Sequence, residues 1–383
     1  MNYRRLGKTD LMVSEVGFGG EWLSADPADR EKCIALLRCA EEQGINIVDC
    51  WMSDPGVRDN LGAALKGRRE KWFVQGHFGS TWQDGQYVRT RDVEKAKEAF
   101  QDLLTRLQTD YIDLGMIHYV DAEADWDTCM NTEYIQVVKQ MKEQGVIRHI
   151  GLSTHNPKIA EKAIQSGFVE MILFSVNPAF DLLPPSEDLE VAFAEEYDAA
   201  LGGINKERAE LYALAEAEDV GITVMKPFAG GRLFDAARSP FGITLTPVQC
   251  IHYCLTRPAV AAVMGGYSSE EQILAAVAYE TASDEEKDYA SVLAHAPKHA
   301  YTAQCTYCGH CKPCPVDIDI AMVNKLYDLA TIQNRVPDSI RAHYEALEVK
   351  AGDCLGCQSC EERCPFGVKI SERMVKTAEL FGE

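Results

Sequence analysis

Residues 110–119 read DYIDLGMIHY, and this stretch decides the fold. From Ile112 to His118 the run is apolar apart from Asp113 and the closing His118, without the in-and-out alternation of a strand that has one wet face. A short continuous apolar run fits a strand of a parallel sheet covered on both faces. Just before it, Val93, Ala96, Ala99, Phe100, Leu103, Leu104 and Leu107 recur at helical spacing behind Thr90-Arg91-Asp92, which predicts a helix over Asp92–Leu107.

The same alternation extends in both directions. Candidate strands are Val16–Phe18, Ile47–Asp49, Phe73–Gly76, Ile112–His118, His149–Ser153, Glu170–Phe174, Thr223–Lys226 and Ala261–Met264. Further helices are expected over Asp29–Glu42, Glu133–Gln144, Pro157–Ser166, Glu207–Asp219, Pro247–Thr256 and Ser269–Tyr279. Eight strand–helix repeats are what a (β/α)8 TIM barrel requires. The alternative, a doubly wound open sheet, is disfavoured by that count and by the lack of a GxGxxG after the first strand, where Gly17, Gly19 and Gly20 stand too close together. Phe180–Lys206, with Pro184, Pro185 and Gly202-Gly203, interrupts the repeat and reads as an excursion over the barrel mouth. The pattern changes near residue 285, so the expected division is a barrel over 1–285 and a second domain over 286–383.

That second domain carries two cysteine groups. Cys305, Cys308, Cys311 and Cys314 precede Pro315, and Cys354, Cys357, Cys360 and Cys364 precede Pro365. The arrangement resembles a two-cluster ferredoxin, in which each triplet holds three corners of an iron–sulfur cubane and the cysteine before proline serves the other cluster. The resemblance implies two 4Fe-4S clusters, one on Cys305, Cys308, Cys311 and Cys364, the other on Cys354, Cys357, Cys360 and Cys314. One departure is the gap between Cys311 and Cys314, two residues rather than three. Paired C-x2-C units also suit zinc, and a disulfide framework is a further alternative. Helical stretches over Ile318–Gln333 and Pro337–Val349 fill the space between the groups. The other cysteines, Cys33, Cys39, Cys50, Cys129, Cys250 and Cys254, are scattered in apolar contexts and read as packing residues.

Composition narrows the functional classes. A chain of 383 residues with 46% hydrophobic content can bury a large core. A net charge of −21 repels phosphate backbones and argues against nucleic acid. No apolar run is long enough for a membrane helix, and MNYRRLGKTD is not an export signal, so a cytoplasmic location is expected. Fourteen cysteines, eight of them in the two groups, point to an anaerobic setting.

Barrel enzymes place their chemistry at the C-terminal ends of the strands. Those ends here carry Asp49, His77, His118, Ser153 with His155, Asn177, Lys226 and Gly265-Gly266. GINIVDC, DYIDLGMIHY, GVIRHIGLSTHNP, GITVMKPFAGGRL and LTPVQCIHYCLTRPAVAAVMGG resemble, in order and spacing, the strand signatures of the aldo/keto reductase superfamily. The whole chain resembles the subgroup with a C-terminal 4Fe-4S dicluster domain. The resemblance implies a catalytic set of Asp, Tyr, Lys and His. Asp49 and His118 match the first and last. The Tyr position falls on Asp54 and the Lys position on His77, so acid–base work is expected from Asp49, Asp54, His77 and His118.

Cofactor expectations follow the same route. The family's Ser-Asn pair corresponds to Ser153-Thr154, its strand-six Gln position to Leu173-Phe174, and GGYSSEEQILAAVA offers no cation for a 2′-phosphate. Ser153, Lys226, Gly230, Gly231 and Arg232 remain as a cofactor cradle, with NAD(P) an open alternative. Two histidines and two carboxylates also suit a mononuclear divalent metal at the mouth. Trp22, Trp51, Trp82, Tyr87 and Tyr119 would line a cleft able to stack a ring or sugar face. Arg89 and Arg91 offer either an anion site or a solvated helix start.

The leading expectation is an oxidoreductase passing electrons through the clusters to a small carbonyl- or hydroxyl-bearing substrate, with a ferredoxin or flavodoxin-type carrier as partner. Three alternatives stand beside it: an NAD(P)-linked carbonyl reductase with structural clusters, a redox-neutral lyase or isomerase using the Asp/His set, and a non-catalytic electron-transfer protein.

Overall fold

The computed structural model describes residues 1–182, 205–297, 305, 307–331 and 336–382. Most of the expected excursion over Phe180–Lys206, and the end of the helix expected to reach Gln333, lie outside the described residues. The chain divides into two compact units: Met1–Val176 with Asp219–Pro227 and Ala259–Thr281, and Asn177–Glu218 with Phe228–Pro258 and Ala282–Glu383.

The first unit is built on eight strands: β1 (Val16–Gly19), β2 (Ile47–Cys50), β3 (Phe73–Phe78), β4 (Ile112–Ile117), β5 (Ile147–Thr154), β6 (Met171–Ser175), β7 (Gly221–Met225) and β8 (Val260–Gly266). They pair in sequential order, all parallel, and β8 closes on β1 to complete a barrel. Every strand expected from the sequence is present. The interior is filled by Ile47, Leu114, Met116, Met171, Leu173 and Met264, joined by Leu6 and Val13 of the N-terminal hairpin. Gly151 makes room for this packing, because a Cβ there would collide with the sulfurs of Met116 and Met171.

The helix Val93–Leu107 shows how local sequence sets the barrel's outer layer. Asp92 caps it by accepting the Lys95 amide, satisfying a donor with no partner inside the helix. Ala96, Phe100, Leu103 and Leu107 are buried along one face, and Gln108 ends the helix in the left-handed region at φ 53°. The neighbouring helix Pro55–Leu65 approaches so closely that a Cβ on Gly62 would strike the Arg106 carbonyl. The buried Arg58 ties the pair by donating to the Ala99 carbonyl at 2.9 Å.

Two hairpins escaped the sequence reading. Tyr3–Arg5 pairs with Met12–Ser14, and Ser80–Gln83 pairs with Gln86–Arg89, both antiparallel. The second lies between β3 and its helix, and its turn residues Asp84 and Gly85 both have positive φ.

The second unit is helical among its described residues. Its larger helices are Lys206–Ala217, Pro247–Leu255, Ile320–Thr331, Asp338–Glu345 and Ile370–Phe381. Buried Asp181 accepts from Arg208 Nε at 2.7 Å, Tyr212 Oη at 2.6 Å and Tyr253 Oη at 2.9 Å. That set of donors compensates a carboxylate held away from water. No helix among the described residues is long and apolar enough to cross a membrane.

Candidate active site

Strand register assembles the barrel mouth. Asp49 on β2 pairs with Gln75 on β3, and His77, two residues on, shares Gln75's face. Hence Gln75 Nε2 and His77 Nε2 both reach Asp49 Oδ1, each at 2.9 Å. His118 follows β4, where its backbone N–H donates to the Phe78 carbonyl at 3.1 Å and continues the ladder. Its ring therefore stands beside His77, with the two Nδ1 atoms 2.8 Å apart. Finally, the Tyr87 hydroxyl lies 2.6 Å from His118 Nε2.

These contacts form a single chain from Tyr87 through His118 and His77 to Asp49. A carboxylate oxygen accepts, so His77 gives it the Nε2 proton and keeps Nδ1 as an acceptor. His118 must then donate from Nδ1 and accept at Nε2 from the Tyr87 O–H. Each of the four ring nitrogens is thereby used once, as donor or as acceptor. Burial pushes His118 well below its ordinary value, and the neighbouring His77 adds to the effect. Burial also pushes the Tyr87 phenol up, to about 12, so it stays protonated at neutral pH.

The chain borders a cavity of about 360 Å³ whose lining includes Glu21, Trp51, Tyr119, Ser153, His155 and Lys226. Trp51 stacks parallel to His118 at 6.1 Å and meets the Tyr87 ring edge-on at 5.3 Å. The hairpin that carries Tyr87 is tied down by buried hydroxyls: Ser53 donates to the Thr81 carbonyl and Ser80 to the Trp51 carbonyl. Lys226 stands at the end of β7 with φ 57°, and burial pushes its ammonium below the ordinary value. Ser153 Oγ accepts the Tyr119 amide at 2.8 Å.

A family model for the aldo/keto reductase family matches residues 15–244, more than half of the chain. The chain belongs to the aldo/keto reductase family. An uncharacterized oxidoreductase of Bacillus subtilis is 29% identical over 283 residues, 71% of this chain and 89% of that protein. The holo form of an aldo-keto reductase from Bacillus halodurans superposes with a TM-score of 0.59 at 26% identity, covering 75% of this chain and 94% of that one. A Klebsiella pneumoniae aldo/keto reductase in complex with NADP and acetate shares the fold, with a TM-score of 0.51 at 19% identity over 74% of this chain and 92% of that one.

As an aldo/keto reductase, this chain is an oxidoreductase by family. Its mouth departs from the sequence expectation in three ways. Asp54, at the family's tyrosine position, is not part of the cavity lining. Its carboxylate caps the helix Pro55–Leu65, accepting from Gly56 N at 2.7 Å and Val57 N at 3.4 Å, because an Asp-Pro sequence favours that role. Second, the phenol missing from that position is present on another element, as Tyr87. Sequence reading placed Tyr87 among aromatic wall residues; the turn Asp84-Gly85 between STWQ and QYVR was the signal for the hairpin that delivers it. Third, Arg89 and Arg91 are engaged by the protein's own groups at the start of the helix capped by Asp92. Both donate to the Tyr119 carbonyl, at 2.8 and 2.9 Å, and both pair with Asp125.

The mononuclear metal expectation is also corrected. Asp49, His77 and His118 are engaged with one another, Asp54 is elsewhere, and no three His, Cys, Asp or Glu side chains among the described residues form a single-ion site. Of the expected cofactor cradle, Ser153 and Lys226 line the cavity. Gly230 and Gly231, with φ of 65° and 80°, and Arg232 belong to the segment Ala229–Phe234 of the second unit. One pair was not anticipated: His155 Nδ1 lies 2.8 Å from Asp121 Oδ2, and the His155 amide donates to Asp121 Oδ1 at 2.7 Å.

No disulfide joins the cysteines among the described residues, so the disulfide framework is not formed there. In the second unit, Cys314, Cys354, Cys357 and Cys360 line one small cavity with Ile318, Ile320, Ile370 and Met374. The Cys311 thiol is pushed up to about 12, first by burial and then by the neighbouring thiols of Cys308, Cys360 and Cys364. Arg363 joins the two cysteine groups, donating to the carbonyls of Cys311 at 2.8 Å and Pro313 at 2.6 Å.

Proposed function

We propose that this chain is an iron–sulfur oxidoreductase of aldo/keto reductase type, acting on a small carbonyl- or hydroxyl-bearing substrate at the barrel mouth. The observation that carries the reading is the hydrogen bond from Tyr87 to His118 inside the cavity. It restores a phenol to a family site whose usual tyrosine position holds a helix cap.

In the oxidative direction, the substrate hydroxyl gives its proton to the Tyr87 oxygen while the phenolic proton passes to His118 Nε2. His118 Nδ1–H then passes its proton to His77 Nδ1, and His77 Nε2–H passes its own to Asp49. The carbon-bound hydrogen would leave as hydride to a two-electron acceptor, the role a nicotinamide held beside Ser153 and Lys226 would fill, as the C=O bond forms. Carbonyl reduction runs the same transfers backwards, ending with the Tyr87 proton on the substrate oxygen. Because each ring accepts at one nitrogen and donates at the other, neither histidine needs to hold a net charge at rest.

The eight cysteines are the natural holders of two 4Fe-4S clusters. Cys314 lies with Cys354, Cys357 and Cys360 in one lining, which fits the crossed pairing, and the donor chemistry is all thiolate. When bound, such clusters supply single electrons exchanged with a ferredoxin or flavodoxin-type carrier, and a nicotinamide would supply or take the hydride. A second reading, in which NAD(P) serves the substrate and the clusters are structural, is favoured by Ser153 and Lys226 in the lining and by the NADP-bound relative. In either reading the tail from about residue 286 is a cluster domain.

The test is anaerobic. Purified protein is assayed for iron and sulfide per chain, then for aldehyde reduction and alcohol oxidation with NAD(P)(H) or with reduced ferredoxin. Iron-free protein would end the cluster reading, and turnover with nicotinamide alone at unreduced clusters would select the second.

A further inference from the structure

The barrel mouth contains two carboxylate–histidine pairs, and they differ at one atom. In the first, Asp49–His77, every ring nitrogen as far as Tyr87 is engaged. In the second, Asp121–His155, the ring is fixed on one side only. Asp121 holds Nδ1 and the His155 backbone amide, and Thr154 Oγ1 donates to the same carboxylate at 2.8 Å. The Tyr119 ring stands edge-on to the imidazole at 5.3 Å. His155 Nε2 is buried and has no hydrogen-bond partner in the structure, yet His155 is part of the cavity wall. Buried polar atoms are nearly always paired, so an exception at a cavity wall marks a place for a ligand atom.

We propose that His155 Nε2 is a subsite for a hydroxyl group of the substrate, so that the substrate is a hydroxylated carbonyl compound or the corresponding polyol. This deepens the function proposed above and rests on it for the identity of the reacting group. The chemistry follows from the tautomer. Nδ1 faces the Asp121 carboxylate and donates to it, which leaves Nε2 as the ring atom open to a ligand, an acceptor in the Nδ1–H tautomer. A hydroxyl has a proton to donate there, whereas a carbonyl or ether oxygen has none. The rest of the wall suits the same class: Trp51 and Tyr119 offer ring faces to C–H surfaces, and Glu21 and Ser153 offer polar atoms at the edges. The Asp121–His155 pair is therefore a positioning and specificity device, separate from the chain that moves the proton.

The experiment compares glyceraldehyde with propanal, which has the same carbon skeleton and no hydroxyls. Equilibrium binding to anaerobically purified protein is measured by calorimetry for wild type, His155→Phe, His155→Asn and Tyr87→Phe. Wild type is expected to prefer glyceraldehyde by about tenfold or more, since a site built for a hydroxyl is left unpaired by its analogue. His155→Phe should erase the preference, and His155→Asn, whose amide oxygen can accept, should keep part of it. Thermal melting of each variant separates lost recognition from lost folding. Equal binding of the two ligands by wild type, or an undiminished preference in folded His155→Phe, overturns the proposal. Tyr87→Phe should keep the binding preference while losing turnover. If it turns over normally, the proton-transfer reading fails and the subsite still stands.

Discussion

The Tyr87 hydroxyl lies 2.6 Å from His118 Nε2, on a hairpin that reaches the barrel mouth from beyond β3. The family position for the catalytic phenol holds Asp54, which caps a helix. On the function proposed above, the proton donor stands on the β3 hairpin instead of the β2 loop, while the histidine it meets stands just after β4. The change is coupled to His77. Where the family's lysine would stand, the His77 imidazole instead continues the hydrogen-bonded chain to Asp49.

Tyr87→Phe removes one oxygen and keeps the ring that packs edge-on against Trp51. Turnover should fall by about 10²–10⁴-fold with KM little changed, the usual range for loss of a positioned acid–base group. Stability should change by no more than about 1.5 kcal/mol, the worth of one hydrogen bond. Steady-state kinetics and a denaturant titration check both, and wild-type kcat in the variant would remove Tyr87 from the reaction.

The stability of the fold should depend on pH through His118. In the unfolded chain its imidazole takes up a proton near the ordinary 6.5, whereas burial and His77 hold the folded ring well below that value. Between those two values the unfolded state binds more protons, so stability rises with pH. The loss begins as pH falls through 6.5 and grows by up to about 1.4 kcal/mol per pH unit until the folded ring protonates as well. Melting curves between pH 7.5 and pH 5 should show a steeper decline for wild type than for His118→Gln; parallel declines would contradict the assignment.

Asp54 provides the converse test. As an N-cap it should be replaceable by Ser with little effect, while Asp54→Ala should cost about 1 kcal/mol of stability. Neither change should alter kcat, because among the described residues the carboxylate accepts from Gly56 and Val57 and does not line the cavity. A large fall in kcat for folded Asp54→Ser would return this residue to the chemistry.

The eight barrel strands were legible because a parallel strand buried on both faces leaves a continuous apolar run, and most helices between them announced themselves by spacing and caps such as Asp92, whereas Pro55–Leu65 was missed. Asp49, His77 and His118 were legible for a related reason: they sit at strand ends, where barrel chemistry collects. Tyr87 was not, because the role proposed for it depends on a two-strand hairpin whose half-buried, partly polar strands have no strong period. Asp121 and His155 were hidden differently. They are 34 residues apart and meet only because β4 and β5 are neighbours in the barrel. Asp54 was misplaced by position counting, which sees spacing but not that Asp before Pro caps a helix.

The crossed arrangement of the cysteines can be tested residue by residue. Cys314 shares a cavity lining with Cys354, Cys357 and Cys360, across 40 residues of chain from the nearest of them, while Cys364 neighbours Cys311. If each group borrows its fourth thiolate from the other, Cys314→Ala should disturb the cluster on Cys354, Cys357 and Cys360 and spare the one on Cys305, Cys308 and Cys311. Anaerobically purified Cys314→Ala should then carry about half the iron and sulfide of wild type, since one cubane of two is lost or degraded. Cys364→Ala should show the same total with the other cluster missing, so the two variants should differ in their reduced-state paramagnetic resonance spectra. Combining Cys314→Ala with Cys354→Ala should cost no more iron than either alone, because both lie on one cluster. Loss of both clusters from that double variant, with half retained by Cys314→Ala together with Cys305→Ala, would show instead that each group closes on its own four thiolates.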